Sequence, residues 1–172
     1  FTFQALSSVI DVYRRRVPPA RSWIDFANYL AFFPQLVAGP IVRAEHLVGQ
    51  MEAMPRRGVR IEAERALSLI LCGLFKKTAI ANALATRLAD PVFAWPEAYS
   101  GPDLLLGIYG YALQIYCDFS AYSDIAIGTA LLLGFHFPVN FDAPYFAATL
   151  QDFWRRWHIS LSTWFRDYVY VP

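Results

Sequence analysis

The segment at residues 151–170 (QDFWRRWHISLSTWFRDYVY) carries the side chains best suited to chemistry. Large apolar residues recur there at steps of three and four and predict one helical stripe, made of Phe153, Trp157, Leu161, Trp164 and Tyr168. His158 falls on the neighbouring line of that helix, so we expect its imidazole to lie between aromatic surfaces. A neutral imidazole in such a place can take a proton from a hydroxyl that attacks an acyl carbonyl.

The same segment supplies cations and indoles beside the histidine. Arg155, Arg156 or Arg166 can hold an anionic acyl donor or stabilise developing negative charge. Trp154 and Trp157 would shape the site around His158. The alternative is that this aromatic helix with its arginines is an anchor at the membrane interface.

Two carboxylates, Asp118 and Asp124, interrupt the most apolar stretch of the chain. A charge at the centre of a membrane helix costs roughly 2.5–3.5 kcal/mol on insertion scales, so such residues face a cavity or a partner. We count both among the candidate site-shaping residues. The alternative is a structural role, in which each caps a broken helix or accepts hydrogen bonds from the nearby residues Tyr116, Ser120, Tyr122 and Ser123.

The composition favours a membrane protein over a soluble domain. Apolar residues make up 56% of the 172 residues, whereas charged residues make up only 17%, against about 25% in soluble domains. The net charge of +1 argues against a nucleic-acid partner. Two cysteines and three histidines without metal-ligand spacing predict neither a disulfide scaffold nor a metal site.

The distribution of cations orients the chain in a bilayer. Basic clusters at residues 14–21 and 43–65 predict cytoplasmic loops, and the acidic, Pro-rich residues 90–103 predict an external one. Between the two basic clusters lie the seventeen uncharged residues 26–42, broken by Pro34 and by Gly39-Pro40. We therefore predict a re-entrant segment that enters the membrane and returns to the same side. The alternative is a kinked spanning helix.

Two further apolar runs predict membrane helices. Residues 66–88 have helical propensity but carry Lys76 and Lys77 at their centre, so we expect amines that reach an interface, with either one span or two pieces. Residues 104–135 would run about 48 Å as one helix, beyond a hydrocarbon core of about 30 Å. We expect a long tilted helix or a break at residues 117–123. Residues 140–144 (NFDAP) predict a turn.

Six sequence words, in this order, resemble the membrane-bound O-acyltransferase (MBOAT) family, and within it the bacterial alginate O-acetyltransferase branch. They are FTFQALSSVIDVYRR (1–15), FFPQLVAGPIVR (32–43), GLFKKTAIAN (73–82), YCDFSAYSDIAIG (116–128), NFDAPY (140–145) and FWRRWHISLSTWFRDYVYVP (153–172). The resemblance covers essentially the whole chain. It identifies the chain as the central part of a single MBOAT membrane domain at residues 1–172, incomplete at both ends.

The resemblance implies an all-α, multi-pass protein of the bacterial inner membrane with a transmembrane tunnel and re-entrant elements. Its activity would be acetyl transfer from a cytoplasmic donor such as acetyl-CoA to an exported polysaccharide, with secreted or periplasmic acetyltransferase partners and no bound cofactor. The histidine of the Trp-Arg-Arg-Trp-His word is an active-site residue in the family and matches His158 here. The family's second functional histidine lies beyond the Tyr-Val-Pro word, so the identity of the base stays open.

Two other functions fit parts of the pattern. A related MBOAT branch transfers D-alanine to teichoic acid, which keeps the enzyme class and changes the substrate. A transporter or channel subunit belongs to a different class, and in it Asp118, Asp124 and His158 would line a solute path. Dependence on a thioester donor separates the two classes, because a transporter does not consume acetyl-CoA.

Overall fold

A computed structural model describes residues 2–20, 22–36, 39–54 and 61–171 of the chain. Within these ranges the regular structure is helical throughout, with no strand, which agrees with the predicted all-α class. Three residues of the basic cluster, Arg56, Arg57 and Arg60, lie outside the described ranges, as do residues 37 and 38 of the predicted re-entrant segment.

The amino-terminal part is built of short helices and a broken connection. Its helices are α1 (Thr2–Tyr13), α2 (Trp23–Ala31) and α3 (Ala44–Ala53), with a 3₁₀ turn at Phe33–Gln35. Ser22 caps α2 by accepting a hydrogen bond from the Asp25 amide at 3.1 Å. The helix ends before Pro34, whose ring excludes a continuing helix. Nine residues rise only about 14 Å, so α2 by itself is shorter than a hydrocarbon core of about 30 Å.

The predicted run at residues 66–88 lies inside one continuous helical path, Ala63–Ala94. Its parts are α4 (Ala63–Phe75), a π-helical segment (Lys76–Ala81), α5 (Asn82–Leu84), a second π-helical segment (Ala85–Ala89) and α6 (Asp90–Ala94). The division into two pieces is therefore wrong. Among the described residues this path alone is long and apolar enough to span a membrane. Only 11% of its most apolar stretch of 18 residues is buried. Such exposure fits a helix that faces lipid.

Residues 101–132 form a single uninterrupted helix, α7 (Gly101–Leu132). It begins with a capping box, in which the Ser100 amide donates to Asp103 Oδ2 at 3.2 Å. It ends at Leu132, and Gly134, whose φ is 83°, turns the chain away just beyond it. The predicted break at residues 117–123 is wrong, and the long-helix alternative is confirmed. A helix of 32 residues carries Asp118 and Asp124 without interruption because both carboxylates have partners on the neighbouring helix.

Helices α4 and α7 approach each other at glycines on both sides. A Cβ at Gly73 would lie 2.7 Å from the Ala121 carbonyl oxygen, and a Cβ at Gly128 would lie 2.7 Å from the Ala66 carbonyl oxygen. Neither position has room for a side chain without movement of the facing backbone. Small residues at helix contacts permit this close packing within membranes.

We expect Gly73→Ala to destabilise the protein, because the new methyl group would overlap the α7 backbone. Overpacking of this kind costs about 1–3 kcal/mol. The measurement is the thermal unfolding midpoint of the full-length protein in detergent. Gly49→Ala in α3 is the matched control, since nothing lies within 4 Å of its Cβ position. Equal unfolding midpoints for Gly73→Ala and Gly49→Ala would contradict the close contact between Gly73 and the α7 backbone.

The last segment is two helices and not the single striped helix that the spacing predicts. Helix α8 (Leu150–Arg156) and helix α9 (Ile159–Phe165) are separated at Trp157 and His158, and a π-helical turn follows at Arg166–Tyr170. The predicted apolar stripe is therefore divided between the two helices. Phe153 and Trp157 stack on each other at 5.5 Å, whereas Trp164 packs on α1, where its indole nitrogen donates to the Phe3 carbonyl at 3.0 Å.

A buried apolar cluster joins these elements. Tyr29, Val42 and Leu47 from the amino-terminal part pack with Ile127 and Leu131 of α7 and with residues that follow it. The Tyr29 hydroxyl donates to the Val42 carbonyl at 3.0 Å, which fixes the non-helical connection against α2. This cluster holds the connection before α3 beside α7, where residues 39–41 form one wall of the cavity described next.

Candidate active site

His158 lies at the sharp turn between α8 and α9, with φ 43° and ψ 56°. This left-handed conformation is uncommon for residues other than glycine, although histidine adopts it more often than most. The His158 carbonyl accepts the first hydrogen bonds of α9, from the amides of Leu161 and Ser162 at 3.0 Å each. The turn therefore ends one helix and begins the next.

The loop before α8 brackets this turn through backbone hydrogen bonds. The Asp142 amide donates to the Arg156 carbonyl at 2.9 Å, and the Ile159 amide donates to the Asn140 carbonyl at 2.9 Å. Residues 140–142 thus lie alongside residues 156–159. Their NFDAP sequence, predicted as a turn, contributes to the site through Phe141, whose ring stacks on the His158 imidazole.

Two phenylalanine rings position the imidazole. The Phe119 ring meets it edge-on, with centroids 4.7 Å apart, and the Phe141 ring is stacked at 6.3 Å. His158 also lines a cavity of about 230 Å³, together with Gln4, Gln35 and side chains that are mostly apolar. A mostly apolar cavity with a few polar groups is the usual form of a small-substrate site. The predicted aromatic setting of His158 is present.

Burial lowers the pKa of the His158 imidazole to about 4. His158 lies outside Ala63–Ala94 and α7, in the connection between two short helices. At neutral pH its ring is therefore uncharged. Among the described residues, no group hydrogen-bonds to either ring nitrogen, so the ring can accept a proton from a bound molecule.

We expect the reactivity of His158 toward diethylpyrocarbonate, which modifies neutral imidazole, to stay constant from pH 8 down to about pH 5. It should then fall as the pH drops through about 4, because the protonated ring does not react. A free imidazole titrates near 6.5. The measurement is the labelling rate of the peptide that carries His158, by mass spectrometry. A midpoint near 6.5 would contradict the effect of burial.

The structure places Asp118 and Asp124 of α7 in ion pairs with the π-helical segment Lys76–Ala81. Lys76 Nζ lies 2.6 Å from Asp124 Oδ2, and Lys77 Nζ lies 2.6 Å from Asp118 Oδ1. Carboxylates on the facing helix therefore bind both amines. That the two amines reach a membrane interface stays a prediction. Neither aspartate lines the His158 cavity. Their partners are lysines and not the neighbouring hydroxyls considered above.

Of the other candidates, Trp157 is connected to the histidine through a chain of ring contacts. Its ring meets that of Phe141 at 5.1 Å, and Phe141 in turn stacks on His158. Trp154 and Arg155 are exposed on α8, and Arg166 is exposed and pairs with Asp167 at 2.7 Å. None of these three lines the cavity.

The cavity also contains residues that spacing alone does not single out. Gln35 is 6% exposed, its Nε2 donates to the Tyr29 carbonyl at 2.6 Å, and its Oε1 has no partner among the described residues. Phe3 from α1 and Phe119 from α7 complete the apolar wall. They come from parts of the chain far apart in sequence. The quoted words at residues 1–15, 32–43 and 116–128 contain them all, which is the only sequence signal that relates them.

Several known proteins are similar to this chain over nearly its whole length. A family model described as MBOAT, the membrane-bound O-acyltransferase family, matches residues 15–172. The chain is 44% identical over 99% of its length to the probable alginate O-acetylase of Azotobacter vinelandii, 34% of which is covered. It is 40% identical over its full length to the peptidoglycan O-acetyltransferase of Helicobacter pylori, 37% of which is covered.

A third relative is more distant. The chain is 32% identical over 99% of its length to the teichoic acid D-alanyltransferase of Streptococcus thermophilus, with 42% of that protein covered. The chain spans about a third of the length of the first of these curated relatives. The family model covers nearly all of the chain, including the turn that carries His158. The chain belongs to the membrane-bound O-acyltransferase family.

Proposed function

We propose that the protein containing this chain is a membrane O-acetyltransferase. It moves an acetyl group from a cytoplasmic thioester donor, acetyl-CoA, across the membrane for O-acetylation of an exported polysaccharide such as alginate. The observation that carries this proposal is the uncharged, unpaired imidazole of His158 in an apolar cavity of an MBOAT chain. The 44% identity to a probable alginate O-acetylase supports the choice of acetyl group and polymer.

His158 acts as the general base in the proposed reaction. Its ring nitrogen takes the proton from an acceptor hydroxyl as that oxygen bonds to the thioester carbonyl carbon. The carbon–sulfur bond then breaks, and the departing thiolate takes up the proton from the imidazolium. Proton transfer by a placed side chain accelerates such reactions about 10²–10⁴-fold. Trp157 acts indirectly, by holding the Phe141 ring against His158.

The proposed setting is the bacterial inner membrane, crossed several times by the longer protein. The chain would form the central part of one membrane domain, since it matches only about a third of a relative's length. Residues 26–42 would form a re-entrant element beside a tunnel. The end of α2 at Ala31 and the non-helical residues 40–43 support this role, because broken backbone within a membrane lies where protein or a cavity surrounds it. Periplasmic or secreted acetyltransferases would act as partners.

The alternatives receive less support. The identity to a D-alanyltransferase is 32%, below that to either O-acetyl-transferring relative. A transporter path lined by Asp118, Asp124 and His158 would need all three in one cavity. Both aspartates instead pair with lysines and lie outside the cavity.

The test uses the full-length protein in membranes with its partner proteins. Acetyl-CoA carrying a radiolabelled acetyl group is supplied on the cytoplasmic side, and label is counted in the extracellular polymer. Label in the polymer is the expected result. Transfer from a D-alanyl thioester but not from acetyl-CoA would move the protein to the D-alanyl branch. Solute flux without consumption of any thioester would reject the enzyme.

A further inference from the structure

The Asn140 side chain is the most completely buried amide beside the candidate site, with 1% of its surface exposed. It lies in the loop that follows α7 and precedes α8. A buried amide needs partners for its donors and acceptors, because an unpaired polar group costs about 1–3 kcal/mol. Asn140 finds those partners in the elements that surround His158.

Its first contacts hold the residues directly after the histidine. Asn140 Oδ1 accepts hydrogen bonds from the Ser160 amide at 3.1 Å and from Ser160 Oγ at 2.9 Å. The Asn140 carbonyl accepts from the Ile159 amide at 2.9 Å. Asn140 thus accepts three hydrogen bonds, which fix the chain just beyond the left-handed turn. Such turns persist only where surrounding contacts determine them.

The remaining contacts lead to two other walls of the cavity. Asn140 Nδ2 donates to Ser123 Oγ at 3.1 Å. Ser123 lies one turn along α7 from Phe119, on the same helix face, and the Phe119 ring contacts His158. Ser160 Oγ in turn accepts from the Ile41 amide at 3.0 Å, and Ile41 lines the cavity. One buried network thus joins the turn, α7 and residues 39–41.

We propose that Asn140 is a positioning residue that holds the His158 imidazole in the cavity at the orientation that acyl transfer requires. This inference rests on the proposed role of His158 as base. Asn140 does not line the cavity, so it acts through the turn and not on substrate. Its loss would leave the imidazole present but misplaced. A misplacement of about 1 Å can reduce a rate about 10²-fold.

The test compares Asn140→Ala and Asn140→Asp in the full-length protein. Asn140→Ala should lower kcat about 10²-fold while the KM for acetyl-CoA and the amount of protein in the membrane stay near wild type. Asn140→Asp keeps an acceptor for both Ser160 donors, and the Ser123 hydroxyl can donate to it, so it should recover most of kcat. Thr129→Val is the matched control, since it removes a hydroxyl that bonds only within α7, to the Ile125 carbonyl.

A second readout is independent of acyl transfer. The diethylpyrocarbonate labelling rate of His158 in folded protein should rise in Asn140→Ala and stay at the wild-type rate in Thr129→Val. Wild-type labelling and wild-type kcat in Asn140→Ala would overturn the proposal. A loss of activity that only matches a loss of folded protein would also overturn it. If Asn140→Ala does not fold, Ser160→Ala is measured by the same two readouts. If wild type transfers no acyl group, the proposed function fails, while the labelling rates still decide the role of Asn140.

Discussion

His158→Gln should lower the kcat of acetyl transfer by about 10²–10⁴-fold, which is the usual contribution of a general base. Glutamine keeps a polar side chain of similar reach but cannot take a proton near neutral pH. The cavity and its phenylalanine walls are formed mainly by other residues, so substrate would still bind. The expected signature is a loss of kcat with little change in the KM for acetyl-CoA.

The measurement is acetyl transfer in membranes, normalised to the amount of the variant protein there. His46→Gln is the matched control, because His46 is an exposed histidine on α3 that does not line the cavity. It should retain wild-type activity. A His158→Gln variant with most of its activity at wild-type abundance would remove this residue from the mechanism. Equal losses in both variants would attribute the effect to histidine replacement in general.

The sequence predicts the all-α class because its long apolar runs lack the alternation of apolar and polar residues that is typical of strands. It also predicts aromatic surroundings for His158 from its neighbours along the helix. The rings that contact the imidazole, those of Phe119 and Phe141, come instead from distant segments. The continuity of α7 could not be read from composition. Its two carboxylates look like interruptions until Lys76 and Lys77, more than 40 residues earlier, are known to face them.

The turn at His158 escaped the periodicity argument for a related reason. Apolar residues at steps of three and four continue through residues 153–168 as though one helix contained them. The helix breaks because backbone hydrogen bonds to the 140–142 loop compete with those of a continuous helix. That loop is adjacent only in the folded protein, so no local pattern reports it. The local sequence likewise does not predict the buried positions of Gln35 and Asn140 beside the site, because both depend on contacts between segments that are distant in sequence.

The two ion pairs provide the second large expected effect. The Lys76 and Asp124 side chains are 29% and 22% exposed, and the amine also lies 3.4 Å from Ser120 Oγ. Lys76 belongs to the helical path long enough to cross a membrane. A lone charge in that setting is costly, whereas a paired charge is much less so. The pairing thus allows a polar residue at the centre of an otherwise apolar helix.

We therefore expect Lys76→Met to destabilise the full-length protein by about 3–5 kcal/mol, since it leaves Asp124 without its cation in a partly buried position. The double variant Lys76→Met/Asp124→Leu should recover most of this loss, because it removes both charges and restores apolar contact between the helices. The measurement is the thermal unfolding midpoint in detergent together with the amount of protein in the membrane.

Arg87→Met is the matched control, because Arg87 belongs to the same helical path, is exposed and forms no ion pair with a described residue. It should leave the unfolding midpoint near wild type. If the double variant is as unstable as Lys76→Met, the lysine stabilises the fold by something other than its charge pair. If Arg87→Met loses as much as Lys76→Met, the cost follows from removing any cation of this helix, and the contact with Asp124 is not the cause.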